Sequence, residues 1–223
     1  MISIIRQSAP TGFSVLRRSD LPVCVCWDSG VTQPESQAIL EGITEMSILM
    51  PHRIFRSYGS ESFGSGYYSS PDWYVHHARH RSGPQINADD ILLSLHSEPW
   101  QRQTPHVDIL VTSRDLYTDS CNFVFGLASP TWHVSVESVF RLRGLTPNQQ
   151  NAAIRQLIRH ELGHLCGLVP EGRTNSKYLL GTHCTNPSCT MQQGMNVQEW
   201  LAIASQTERT GQLFCRQCLQ DLR

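Results

Sequence analysis

Residues 159–172 read RHELGHLCGLVPEG, and within them stand His160, Glu161 and His164 in the order His-Glu-x-x-His. On a helix, side chains four apart lie one above the other, so His160 and His164 can aim both imidazoles at one ion. Glu161 is turned about 100° from His160, away from a shared ligand position and toward a water on the ion's open side. The residue types suit zinc, which in catalytic sites keeps three protein ligands and one water whose pKa it lowers toward ~7. A carboxylate beside that water can take its proton during attack on a carbonyl and deliver it to the leaving amine. The compact form of this motif sets a third histidine three residues after a glycine. Here the glycine is Gly167, and the position is held by Pro170, which has no side-chain donor.

The helix expected to carry the motif has a clear beginning. Thr146-Pro147-Asn148-Gln149 supplies an N-cap threonine, a proline at the first helical position and a glutamine at N3. Ile154, Leu157, Ile158, Leu162 and Leu165 form an apolar face, and Gly167 stands where a glycine closes a helix. The two histidines therefore fall in its last two turns.

Three downstream side chains remain open as the third ligand: Glu171, His183 and Glu199. Glu171 lies one residue past the expected position and needs a reshaped turn. Glu199 has a job in a second capping box, Asn196-x-x-Glu199, which opens a helix through about Ser205. His183 is followed by two cysteine knuckles, Cys184-x4-Cys189 and Cys215-x2-Cys218. Paired cysteines at this spacing match a closed, four-sulfur structural zinc site, and such a cage fixes the backbone beside His183.

The bulk properties narrow the classes. The chain has 223 residues, 39% hydrophobic and 17% charged, which suits one folded domain and excludes wholesale disorder. A formal net charge of -1, with only Arg209, Arg216 and Arg223 as basic residues after Cys184, argues against a nucleic-acid partner. No run reaches the ~18 apolar residues of a membrane span, so no membrane partner is expected. The start, MISIIRQSAPTGF, lacks a basic leader with a long apolar core, so the expected location is cytoplasmic. Eight cysteines in a reducing compartment read as metal ligands more readily than as disulfides. A monomer is expected.

Along the chain, strands are expected at 21–27, 52–58, 107–113, 122–129 and 133–140, with helices over Gln33–Met50 and Ala88–His96. Residues 59–86 read as one long loop. Strands separated by helices, with a late helix, give an α+β or mixed α/β fold. His76, His77 and His80 read as loop residues rather than ligands, and Cys24 and Cys26 as strand residues alternating across the sheet. Cys166 reads as a small core residue, Cys121 as a surface thiol and Tyr178 as a solvated loop tyrosine.

Taken together, these motifs resemble the archaemetzincins, whose signature runs HExxHxxGxxHC, then C-x4-C-x-M sharing the first cysteine, then C-x2-C. His160, Glu161, His164 and Gly167 match the first part, His183-Cys184, Cys189 and Met191 the second, and Cys215 and Cys218 the third. RSGPQINADDILLSL, VTSRDLYTDSCNFVFGLAS and SVESVFRL are similar to upstream stretches of that family, so the likeness runs from about Arg81 to Cys218. The resemblance implies a zinc-dependent metallopeptidase acting on a peptide or protein, by endo- or aminopeptidase action. It implies one catalytic domain, with an N-terminal lobe (1–167) of a twisted mixed sheet, two helices and the active-site helix. A smaller C-terminal lobe (168–223) carries a helix and the four-cysteine site. Glu161 is then the general base and acid, His160, His164 and His183 hold a catalytic zinc, and Cys184, Cys189, Cys215 and Cys218 hold a structural one. Met191 becomes the Met-turn residue, and NFVFGLAS the edge strand that pairs with an extended substrate. The chain departs from the family in length: fifteen residues, Leu168 to Thr182, stand where the signature has two, and the stretch from Met191 to Cys215 is also longer. Loop insertions cost little closure entropy. Two alternatives stay open: a peptidase using Glu171 as third ligand, and a zinc-stapled binding or scaffold protein whose cleft the insertion has disabled.

Overall fold

Three runs of buried, β-branched side chains set the frame: β1 (Val23–Trp27), β4 (Val107–Thr112) and β7 (Val134–Ser138). In the computed structural model, which describes residues 21–60, 70–81 and 83–222, they form the middle of a five-stranded sheet. The outer strands are β2 (Phe55–Gly59) and, at the opposite edge, β6 (Gly126–Ser129), giving the order β2-β1-β4-β7-β6. Strands β2, β1, β4 and β7 are parallel, and β6 alone runs antiparallel, with Gly126 opposite Glu137. Parallel strands buried on both faces read as near-continuous apolar runs rather than alternating ones.

Helices cover both faces. Between β1 and β2 the chain makes α1 (Gln33–Leu49), and after β7 it makes α5 (Pro147–Leu165). Ile39, Met46, Ile154, Leu157 and Ile158 from these helices pack with Val25, Ile109 and Val111 of the sheet. On the other face lie α2 (Pro71–His77), β3 (Gln85–Asn87), α3 (Ala88–Ser97) and α4 (Pro99–Gln103). Ile91 and Leu95 there meet Leu110, Val134 and Val136. A short strand, β5 (Asp115–Tyr117), pairs with β3. The C-terminal portion adds a hairpin, β8 (Ser176–Tyr178) and β9 (Thr182–Cys184), then α6 (Val197–Thr210) and α7 (Arg216–Asp221).

This mixed α/β architecture agrees with the expected fold class, and four local readings change. Within 59–86, Pro71 at the first helical position and Asp72 in the first turn start a helix whose Tyr74 and Val75 are buried; residues 61–69 lie outside the described residues. Only the second half of NFVFGLAS is strand, because Val124 bonds back to Leu116 and Phe125 O accepts from Ser138 N. Cys24 and Cys26 share one face of β1, as residues two apart must. The second half of the insertion enters a hairpin, β8–β9, rather than remaining loop throughout.

Helix α5 is locked to its surroundings by polar groups that no periodicity reveals. Arg159 is fully buried and donates to Glu45 of α1 (2.6 Å) and to Gln156 and Thr207 (3.3 and 3.4 Å). A buried charge is tolerable only when paired in this way. At the end of α5, Gly167 (φ 83°) donates to His164 O and Leu168 donates to Gly163 O, each at 3.0 Å, closing the helix in a Schellman motif.

Candidate metal centres

The end of α5 carries His160 and His164 into a cleft beneath β6, and the hairpin β8–β9 brings His183 to them. Their ligand nitrogens all lie within 4.8 Å of one another. His160 Nε2 and His164 Nε2 are 3.2 Å apart. Tetrahedral zinc with Zn–N near 2.0–2.1 Å sets its nitrogen ligands about 3.3 Å apart, so the pair fits that ion. His160 Nδ1 lies 2.8 Å from Thr190 O, and His183 Nδ1 lies 3.1 Å from Gly181 O. A carbonyl can only accept, so each Nδ1 carries the proton and each Nε2 offers its lone pair to the centre. Burial drives the His160 imidazole down to about 3, with His183 adding to the effect, and burial drives His183 to about 4. The rings are therefore neutral near pH 7, as ligands must be.

Glu161 stands beside this triad, 6% exposed, and burial pushes its carboxyl up to about 8. Its place depends on Gly126 at the start of β6. A Cβ there would come 2.5 Å from Glu161 Oε1 and 2.8 Å from its Cδ. A second glycine has a similar function on the other side of the helix. A Cβ on Gly163 would lie 2.4 Å from Met191 Sδ, so the fully buried thioether packs directly on the helix between the two histidines. Thr190 O accepts from both His160 Nδ1 and Gln156 Nε2 (3.0 Å), which fastens the Met191 turn to α5.

The four cysteines of the C-terminal portion form the second cluster, all buried and within the same mutual reach. Cys184 Sγ and Cys215 Sγ are 3.7 Å apart, and Cys189 Sγ and Cys218 Sγ are 3.5 Å apart. A disulfide needs about 2.05 Å, whereas tetrahedral zinc with Zn–S of about 2.3 Å separates its sulfurs by about 3.8 Å. Donors turned toward the sulfurs suit thiolates: Asn186 N on Cys184 and Cys215 N on Cys189, each at 3.4 Å. Arg173, from the insertion, adds a guanidinium whose Nη2 lies 3.2 Å from both Cys184 Sγ and Cys218 Sγ and whose Nη1 pairs with Asp221. That positive charge would offset part of the negative charge of the cage if its sulfurs were to bind a metal as thiolates.

The remaining sequence candidates lie elsewhere. Glu171 lines the cleft but stands outside the cluster of converging nitrogens, and Glu199 caps α6, accepting from Met195 N and Asn196 Nδ2. His76 and His77 end α2, His80 is extended, and none belongs to either cluster among the described residues. Cys166 is half-buried and accepts from Arg53 Nη1 at 2.8 Å. Tyr178 is exposed, as expected, though on a strand. The cleft, about 1110 Å³, is lined by Glu161 and the three histidines together with Tyr178 and Leu180, so the hairpin borders it without filling it. Thr190, Gly126 and Arg173 were not singled out by sequence reasoning. A glycine inside a strand pattern flags close approach and could have pointed to Gly126; nothing in the sequence points to Thr190 or Arg173.

A mixed sheet over a helix that offers two imidazoles, a third imidazole from the hairpin β8–β9 and a separate cluster of four thiols together define a mixed α/β fold with two groups of side chains able to hold a metal ion. The chain belongs to peptidase family M54, whose model matches residues 101–223. It is 32% identical over 114 residues to the archaemetzincin of Pyrobaculum aerophilum, a match covering 51% of this chain and 59% of that protein. The chain thus spans little more than half the length of that curated relative. Its fold is similar to the crystal structure of the archaemetzincin of Methanopyrus kandleri, with TM-score 0.66 and 23% identity over 94% of this chain and 97% of the other. It is also similar to a zinc-dependent peptidase from Methanocorpusculum labreanum, with TM-score 0.55 and 23% identity over 90% and 100% of the two chains.

Proposed function

We propose that this chain is a zinc-dependent metallopeptidase that hydrolyses peptide bonds in the cleft between an N-terminal lobe (1–167) and a C-terminal lobe (168–223). The observation that carries the reading is the meeting of three imidazoles, two of them oriented by carbonyls at Nδ1, with one buried carboxylate in an open cleft. Membership of family M54 and the likeness to a zinc-dependent peptidase support it. His160, His164 and His183 would hold one zinc, and Cys184, Cys189, Cys215 and Cys218 a second, structural one. Zinc at the imidazoles supplies Lewis acidity, lowering the pKa of a water toward ~7 and polarising a carbonyl.

The chain's own groups do the rest. Glu161 takes the proton from the attacking water and returns it to the leaving amine. A carboxyl raised by burial is drawn back toward its charged form when a cation is held beside it. Strand β6, at the sheet edge, presents backbone N–H and C=O groups to an extended peptide, which is the means by which an exposed edge recognises a strand. Met191 supports the histidines by packing, and the thiol cage fixes Cys184 and hence the backbone of His183.

The experiment is hydrolysis of an unstructured peptide by the zinc-loaded protein. Cleavage is expected to cease on treatment with a strong zinc chelator and to return with zinc but not with magnesium. Cleavage indifferent to the chelator, or none by fully loaded protein, contradicts the reading. A geometric corollary concerns Gly126→Ala, which crowds Glu161 without touching a metal ligand. It is expected to lower kcat/KM by about 10²-fold, the scale of an ångström-level misplacement, with unchanged zinc content. Full activity in that variant would mean that Glu161 is not held where the chemistry needs it.

A further inference from the structure

The hairpin β8–β9 has a feature that the zinc chemistry leaves unused. Three consecutive large side chains at its tip, Tyr178, Leu179 and Leu180, are exposed to 78%, 44% and 47%, and Met195 to 47%. Tyr178, Leu180 and Met195 line the same cleft as the three histidines. Scattered apolar residues on a surface need no explanation, but a run of them at a cleft mouth marks a contact surface. The backbone at the tip is committed to this arrangement. Leu180 adopts φ 55°, an uncommon region for a leucine, next to Gly181 at φ 114°, and Leu179 N bonds Gly181 O at 2.9 Å. Gly181 O is also the group beside His183 Nδ1. The backbone of the tip and the third imidazole are therefore joined through Gly181 O.

The charge of the cleft disfavours an acidic occupant. Apart from histidines, the lining holds Asp89, Asp119, Glu161 and Glu171, and no lysine or arginine among the described residues. An acidic substrate side chain would find no lysine or arginine there to pair with, while an apolar one has no hydrogen bonds to lose on leaving water. Building on the peptidase reading, we propose that Tyr178 and Leu180, with Met195, form the seat for a large apolar side chain, aliphatic or aromatic, of the peptide substrate. The insertion is then the selectivity wall of the cleft.

The test uses zinc-loaded Glu161→Gln protein, expected to bind peptides while cutting them far more slowly, and a set of fluorescent peptides identical except at one scanned position. Binding by anisotropy is expected to favour Leu or Phe over Asp, and over Ala, by about tenfold or more, the scale of filling an apolar pocket. Adding Tyr178→Ser and Leu180→Ser should collapse the Leu-to-Ala ratio toward one, with two zincs per chain retained as the check on folding. A ratio unchanged by the two serines, or no apolar preference in the parent, overturns the proposal. Because the readout is binding, it is separable from the peptidase reading: apolar preference in a protein that never cleaves when Glu161 is intact would sink the catalysis and keep the seat.

Discussion

Glu161→Gln is expected to lower peptide hydrolysis by about 10²–10⁴-fold, the usual contribution of a positioned general acid–base, while zinc content stays at that of the parent. Glutamine keeps the shape of the side chain in a space where Gly126 leaves little freedom, so any loss reports proton transfer rather than repacking. The carboxyl is not one of the converging ligand groups, so metal retention should be indifferent to the change. Zinc analysis alongside kcat separates the two effects. Hydrolysis at the parental rate would remove Glu161 from the chemistry, and loss of zinc with loss of activity would recast it as a ligand.

The second large effect concerns the third ligand. His183→Ala is expected to take bound zinc from two per chain to one after dialysis against a moderate chelator, and to abolish cleavage. His183 is 4% exposed, ordered by Gly181 O and by its register opposite Lys177, so removing its ring leaves a two-armed site. The thiol cage is closed by four other side chains, and the retained zinc should keep the protein folded. Glu171→Ala is the companion measurement, because Glu171 borders the cleft without converging on the nitrogens. It should keep both zincs. The reverse pattern, with Glu171→Ala emptying the site and His183→Ala leaving it filled, would assign the third arm to the carboxylate.

Much of this could be read before any fold was available, for identifiable reasons. Helix α5 announces itself because its capping residues, apolar period and terminal glycine are local signals, and local signals survive into the folded state. Gln149 accepts from the backbone N–H of Thr146 at 3.3 Å, as the capping pattern predicts, and from its hydroxyl at 2.9 Å. The cysteine knuckles are legible because metal ligands are constrained in spacing as well as type. The third histidine was harder, since fifteen residues separate it from Gly167 and only its neighbour Cys184 says that the chain returns. What stayed hidden depends on distant partners. Gln156 and His160 meet at the carbonyl of Thr190, and Arg173 reaches sulfurs on both knuckles. Neither arrangement has a sequence period. Helix α2 is not legible in the sequence because seven residues are too few for an apolar stripe to stand out against Gly- and Ser-rich surroundings.

The most direct test of the account is a crystal of the zinc-loaded protein measured on both sides of the zinc absorption edge. Two anomalous peaks are expected per chain, one bonded to the Nε2 atoms of His160, His164 and His183 and one enclosed by the four Sγ atoms of Cys184, Cys189, Cys215 and Cys218. A single peak at the sulfurs, with the His183 ring turned to solvent, would contradict it.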